Sequence, residues 1–163
     1  MSKRGASGSP GELRGDFDLT RDLGLLYANT ECGIFGVLPQ ENRPEAVGEA
    51  IPVARRTEVR TGKAVILANC RGNEVCAYEI EIEKLYGGSA PTRNLLLRVT
   101  DPALIALTGG IVQGMSGSPI VQDGKLVGAV THVLLDDPQR GYGILAENML
   151  SASGMTAQSA ASA

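Results

Sequence analysis

The sequence predicts a mainly β fold, a barrel or sandwich of short strands, and three observations carry that reading. Short runs rich in Val, Ile and Leu recur at regular spacing between turn residues. The 163 residues include 21 glycines, which suits a turn-rich β fold better than a helical bundle. The run Tyr78-Glu79-Ile80-Glu81-Ile82-Glu83 alternates strictly, so it has one face to bury and one to hydrate. Hydrophobic residues make up 43% of the chain and charged residues 20%, enough apolar surface for one domain with a sizeable core. Aromatics are 4% and Trp is absent, so that core is built from Val, Ile, Leu and Ala.

Residues 1–16 are rich in Gly, Ser and Pro and are expected to be flexible or extended. Residues 23–28 and 33–38 read as short buried strands joined by the polar Asn29-Thr30-Glu31. Pro39 to Pro44 reads as a turn. Strands are expected over 50–53, 63–69, 75–84 and 94–99. Thr100 is placed to cap a short helix over 101–107, with Pro102 in its first turn. The pair Gly109-Gly110 then ends that helix. Residues 118–121 and 126–135 read as a hairpin around Asp123-Gly124, a favourable tight-turn dipeptide. A strand over 142–145 and a helical turn over 147–151 follow. From residue 152 to 163 the tail is Ser, Ala, Gly and Thr and is expected to be disordered.

Charge excludes some partners. The net charge is −3 and the arginines are scattered apart from Arg55-Arg56, which argues against a nucleic-acid face. No apolar run approaches the ~20 residues of a membrane span. Met1-Ser2-Lys3-Arg4 leads into Gly, Ala, Ser and Pro, so the sequence as it stands reads as carrying no export or anchoring segment. Of the three cysteines, Cys70 and Cys76 flank a hairpin turn and could pair in an oxidising compartment, although burial as free thiols is the commoner outcome. With one histidine and no Cys-x-x-Cys, no metal site and no cofactor are expected.

The chemistry concentrates in residues 109–121, Gly-Gly-Ile-Val-Gln-Gly-Met-Ser-Gly-Ser-Pro-Ile-Val. Acyl transfer needs an exposed hydroxyl beside two backbone N–H groups aimed at one point, where they hold the oxyanion of a tetrahedral intermediate. Here the hydroxyl is that of Ser116, and the donors are the amides of Gly114 and Ser116. Gly114 and Gly117 allow the tight backbone turn. The same letters also spell an ordinary Gly/Ser turn between strands, so the motif alone leaves both readings open. Its surroundings resemble trypsin-like proteases, whose Gly-x-Ser-Gly-x-Pro is followed by a hairpin. The second strand of that hairpin, in a Leu-Val-Gly-x-Val pattern, lines the substrate groove. An extended peptide would pair with it through main-chain hydrogen bonds.

The segment 109–121, Gly128-Ala129-Val130-Thr131-His132-Val133, Asp137-Pro138 and Gly141-Tyr142-Gly143 together resemble the peptidase domain of the stage IV sporulation protein B family. Upstream, Ser7-Gly8-Ser9-Pro10-Gly11-Glu12, Gly33-Ile34-Phe35-Gly36 and Thr100-Asp101-Pro102 fit as well. The resemblance covers about residues 3–150. It implies a trypsin-like β-barrel peptidase domain over 17–151, incomplete and lacking its N-terminal strands, between the flexible 1–16 and the tail. It implies a serine endopeptidase of sporulation signalling, acting on protein or peptide in extended conformation to switch on a late mother-cell sigma factor.

The nucleophile falls on Ser116 and the acid, fifteen residues earlier, on Asp101. A carboxylate at 101 is also good chemistry for a helix N-terminus. Thr131 and His132 fall on the groove wall. The family's catalytic histidine lies in a Gly-His segment upstream of the Gly/Pro stretch, and this sequence begins after it. His132 belongs instead to the family's Val-Thr-His strand, and Lys125, at a hairpin tip, is a poor base. The family's PDZ domain and membrane-anchoring or export segment also lie upstream, so any membrane contact would come through them. Relatives reach the space between the two spore membranes. The alternative is a non-catalytic peptide-binding remnant that uses 126–135 as an edge strand.

Overall fold

Six strands close into an antiparallel barrel in the computed structural model, which describes residues 3–15, 18–44, 49–72, 74–87 and 90–154. A separate hairpin comes first, β1 (Leu25–Thr30) with β2 (Gly33–Val37). The barrel strands are β3 (Gly62–Arg71), β4 (Glu74–Leu85), β5 (Leu95–Val99), β6 (Pro119–Gln122), β7 (Lys125–Val133) and β8 (Arg140–Leu145). Around the barrel they run β3-β4-β5-β8-β7-β6, and β6 returns to β3 through Val65↔Val121 and Ile66↔Ile120. Helix α1 (Pro102–Thr108) joins β5 to the loop before β6, and α2 (Ala146–Ala152) follows β8.

The alternation in the sequence becomes the barrel wall. Tyr78, Ile80 and Ile82 of β4 point inward with Ala64, Ile66 and Ala68 of β3 and Leu95, Leu97 and Val99 of β5. Each fully buried Ile or Leu contributes about 1.5–3 kcal/mol relative to exposure. The β6–β7 turn takes Asp123 and Gly124 at φ 51° and 75°, the left-handed pair that suits a two-residue hairpin. On the outside, Glu83 of β4 accepts from Arg98 Nε of β5 and Arg140 Nε of β8, each at 2.9 Å, and so ties three strands.

Four expectations change. The cap of α1 is Asp101 rather than Thr100, and the helix ends at Thr108 with Gly109 in the left-handed conformation. Residues 50–53 form no strand beyond the single bridge Val53↔Leu126. Pro52 has no N–H to extend a ladder. Residues 23–28 and 33–38 do pair, but none of them is buried: Leu25 is 74% exposed and Ile34 65%. Apolar runs report a tendency to pair, and only a packing partner turns it into burial.

The fourth change lies at the N terminus. Residues 3–13 fold back as a strap, with bridges Lys3↔Glu12 and Ala6↔Ser9. The strap binds the domain through Gly5 N to Thr108 O (2.7 Å), Gly8 N to Leu135 O (2.7 Å) and Ser7 Oγ to Asp136 O (2.7 Å). The three cysteines are free thiols. Burial, with Cys76 nearby, pushes the Cys70 thiol up, away from thiolate character. Residues 155–163, the larger part of the expected tail, lie outside the described residues.

Candidate active site

Ser116 lies in the loop that enters β6, between α1 and the hairpin. Met115, 1% exposed, anchors the loop in the core, and its Sδ accepts from Val112 N at 3.4 Å. Gly114 and Gly117 sit at φ 98° and 90°, where an L side chain would be strained. Held this way, Ser116 is exposed and its Oγ donates to Thr131 O at 3.0 Å.

The amides around it divide sharply. Gln113 N donates to Gly11 O (2.8 Å), Met115 N to Val112 O (3.1 Å), Gly117 N to Val130 O (2.8 Å) and Ser118 N to Met115 O (3.0 Å). Among the described residues, Gly114 N and Ser116 N have no acceptor. The two amides named from the sequence are thus the two left unpaired, flanking an exposed hydroxyl. Both residues are exposed, so these two amides are open to solvent and to a ligand.

Thr131 and His132 divide differently. Thr131 Oγ1 is turned inward, within hydrogen-bonding distance of Thr92 O (3.0 Å) and Tyr142 O (3.1 Å), so its carbonyl and not its side chain meets Ser116. His132 is exposed and pairs across β8 with Tyr142; its ring makes no hydrogen bond among the described residues. The expected edge over 126–135 is narrower in the structure. Residues 125–129 pair with β6 and Val130 bonds Ser118 O, so only from Thr131 onward does β7 pair with β8 alone.

Asp101 stands apart from this cluster. Its Oδ1 accepts from Ala103 N (2.8 Å) and Leu104 N (3.0 Å), and its Oδ2 from Glu79 N (3.1 Å). No imidazole or hydroxyl touches it among the described residues. Partial burial raises its pKa, but the amides of Leu104, Glu79 and Ala103 outweigh that and hold the carboxyl below the ordinary aspartate value. A group with a depressed folded pKa stabilises above its unfolded pKa, and that stability is lost as pH falls through the folded value. Asp101→Ala is therefore expected to cost about 1–2 kcal/mol near neutrality. In urea melts repeated in acid, below the folded pKa, the gap to the unaltered chain should shrink. An equal gap at both pH values would remove the charge from the account.

Sequence reasoning missed the strap. Leu13 N donates to Gln113 O (2.9 Å), so Gln113 is held on both sides by residues 11 and 13. A Cβ on Gly11 would lie 2.5 Å from Gly5 N and 2.6 Å from Val112 Cγ1. The signal was present as glycines at 5, 8 and 11, but its meaning depends on contacts a hundred residues away.

Two clefts of about 520 Å³ flank the barrel. One, lined by Lys63, Glu79, Thr100, Val121 and Gly124, lies toward the far end of β6 from Ser116. The other reaches Gly114 itself. No group of three or more metal-ligating side chains occurs among the described residues. None of their helices is long and apolar enough to cross a membrane.

The closed six-strand antiparallel barrel is a trypsin-like fold. Solved structures bear out the fold. The chain is similar to the Rv3671c protease in its inactive form (20% identity, TM-score 0.52, 80% of this chain and 67% of that one). It is also similar to the active form of that protease from M. tuberculosis (22%, 0.52, 82% and 59%) and to an inactive serine-to-alanine mutant of it (21%, 0.53, 80% and 64%). The chain thus spans about three fifths to two thirds of the proteins it resembles. No curated protein sequence matches it. The chain belongs to the SpoIVB peptidase S55 family, whose match covers residues 1–150.

Proposed function

We propose that this chain carries the nucleophile and oxyanion hole of a serine endopeptidase, with Ser116 as nucleophile and the amides of Gly114 and Ser116 as oxyanion donors. The observation that carries the reading is the coincidence of an exposed serine hydroxyl with two unpaired amides on one turn. Ser116 Oγ attacks the scissile carbonyl, its proton passes to a base, and the carbonyl oxygen gains charge between the two amides. The acyl side of the peptide lies along β7 from Thr131 to Val133, where among the described residues the strand pairs with β8 alone.

The base is the open place. A backbone carbonyl, the present partner of Ser116, orients the hydroxyl but cannot take its proton. His132, the one histidine of the chain, makes no bond to Ser116. We therefore assign the base to a histidine outside these 163 residues, in the family's Gly-His motif. Its match to the family's acid supports Asp101 as the residue that orients that base, a part for which one carboxylate oxygen must leave its amides. Family membership supports a role in sporulation signalling, with a protein substrate in the space between the spore membranes.

A fluorophosphonate probe tests this. The 163-residue chain should label weakly at Ser116, and a longer polypeptide carrying the Gly-His motif should label strongly. Strong labelling of the 163-residue chain alone would move the base to His132. No labelling of the longer polypeptide would favour the peptide-binding remnant, which would use residues 131–133 without turnover.

A further inference from the structure

We propose that the cleft beside Gly114 is the subsite for the leaving-group side of the peptide, and that Arg14 selects a carboxylate there. The proposal rests on Ser116 as nucleophile. In the barrel, β6 lies between β3 and β7. Ser116, at the entrance to β6, therefore has Thr131–Val133 of β7 on one flank and the end of β3 on the other. If the acyl side takes the β7 flank, the residues after the scissile bond must leave across the β3 flank.

That flank holds the cleft, of about 520 Å³, lined by Leu13, Arg14, Asn69, Cys70, Gly72 and Gly114. Gly114 makes it continuous with the oxyanion donors. The thiol of Cys70, pushed up by burial, adds no negative charge, and none of the described lining residues is acidic. Arg14 is exposed and makes no hydrogen bond or ion pair among the described residues, unlike Arg60, Arg98 and Arg140, which are each ion-paired. Its position is fixed nonetheless, because Leu13 N is bonded to Gln113 O one residue before Gly114. A guanidinium held beside the leaving group with its donors unspent suits bidentate capture of a carboxylate. The carboxylate could come from an acidic side chain or from the C-terminus of a short leaving group.

Binding decides it without turnover. Fluorescent peptides are titrated by anisotropy into the full chain carrying Ser116→Ala: one with an internal Glu and an amidated C-terminus, one with Gln and a free C-terminus, and one with Gln and an amidated C-terminus. At least one carboxylate peptide should bind about fivefold or more tighter than the neutral one. Which of the two does so names the source. Arg14→Ala should abolish the difference, and Arg14→Glu should turn the preference toward a Lys peptide. Equal binding of all three, or a preference that survives Arg14→Ala, overturns the proposal. Labelling of Ser116 is scored separately. A longer polypeptide that labels without discriminating loses only the subsite, and one that discriminates without labelling keeps a carboxylate site at Arg14 but loses the hydrolase reading and, with it, the leaving-group assignment.

Discussion

Replacing Ser116 by alanine in the longer polypeptide that carries the Gly-His motif is expected, on the proposed function, to lower peptide hydrolysis about 10⁴-fold or more and to leave folding nearly untouched. The two effects separate because of where the hydroxyl sits. It is exposed, and its one bond, to Thr131 O, is worth at most about 0.5–1.5 kcal/mol. Met115, and not Ser116, anchors the loop in the core. The unpaired amides of Gly114 and Ser116 survive the change, so tight binding of peptide should survive as well. The measurements are hydrolysis rate, probe labelling and thermal melting on the same preparation. A variant that keeps a tenth of the rate would place the nucleophile elsewhere.

Gly128→Ala is the largest expected loss of stability. A Cβ at Gly128 would lie 2.0 Å from Ile144 O and 3.1 Å from Ile144 C. The obstacle is main chain, so no rotamer relieves it. Strand β7 would have to move about 1 Å from β8 across the pairs Gly128↔Leu145 and Ala129↔Ile144, in the middle of a closed barrel. Such a shift is expected to cost about 4 kcal/mol or more, a large share of the total stability of a domain this size. The thermal midpoint should fall by about 10–20 °C, read by far-ultraviolet circular dichroism. A fall of only a degree or two would mean that β7 and β8 do not approach as closely as described.

The elements that were legible in the sequence are those whose reason is local. Tyr78, Ile80 and Ile82 alternate with glutamates, so the face and register of β4 follow from a period of two. Asp123-Gly124 names its own turn. The Gly-x-Ser-Gly turn was legible because glycine is needed where φ is positive, at Gly114 and Gly117. What was not legible depends on distant contacts. Asp101 takes the cap from Thr100 partly because Glu79, on another strand, gives its oxygen a third donor. The strap reads as a flexible Gly/Ser stretch until Thr108, Gln113 and Leu135 are beside it. The exposure of Leu25 and Ile34 has no sequence signal, since the same apolar run forms a core strand wherever a second layer covers it.

The seam between β3 and β6 carries a consequence for the order of folding. It joins Val65 to Val121 and Ile66 to Ile120, a long separation along the chain, through only these two pairs. The β3–β4 and β6–β7 hairpins, by contrast, join near neighbours. Contacts of long span must first overcome the entropy of closing the loop and are expected to form late. Ser116 sits at the mouth of that seam, between the last strands to meet. A nascent or partly unfolded copy would therefore hold a serine with no oriented amides around it. On the proposed function, hydrolytic competence would come only with closure of this seam.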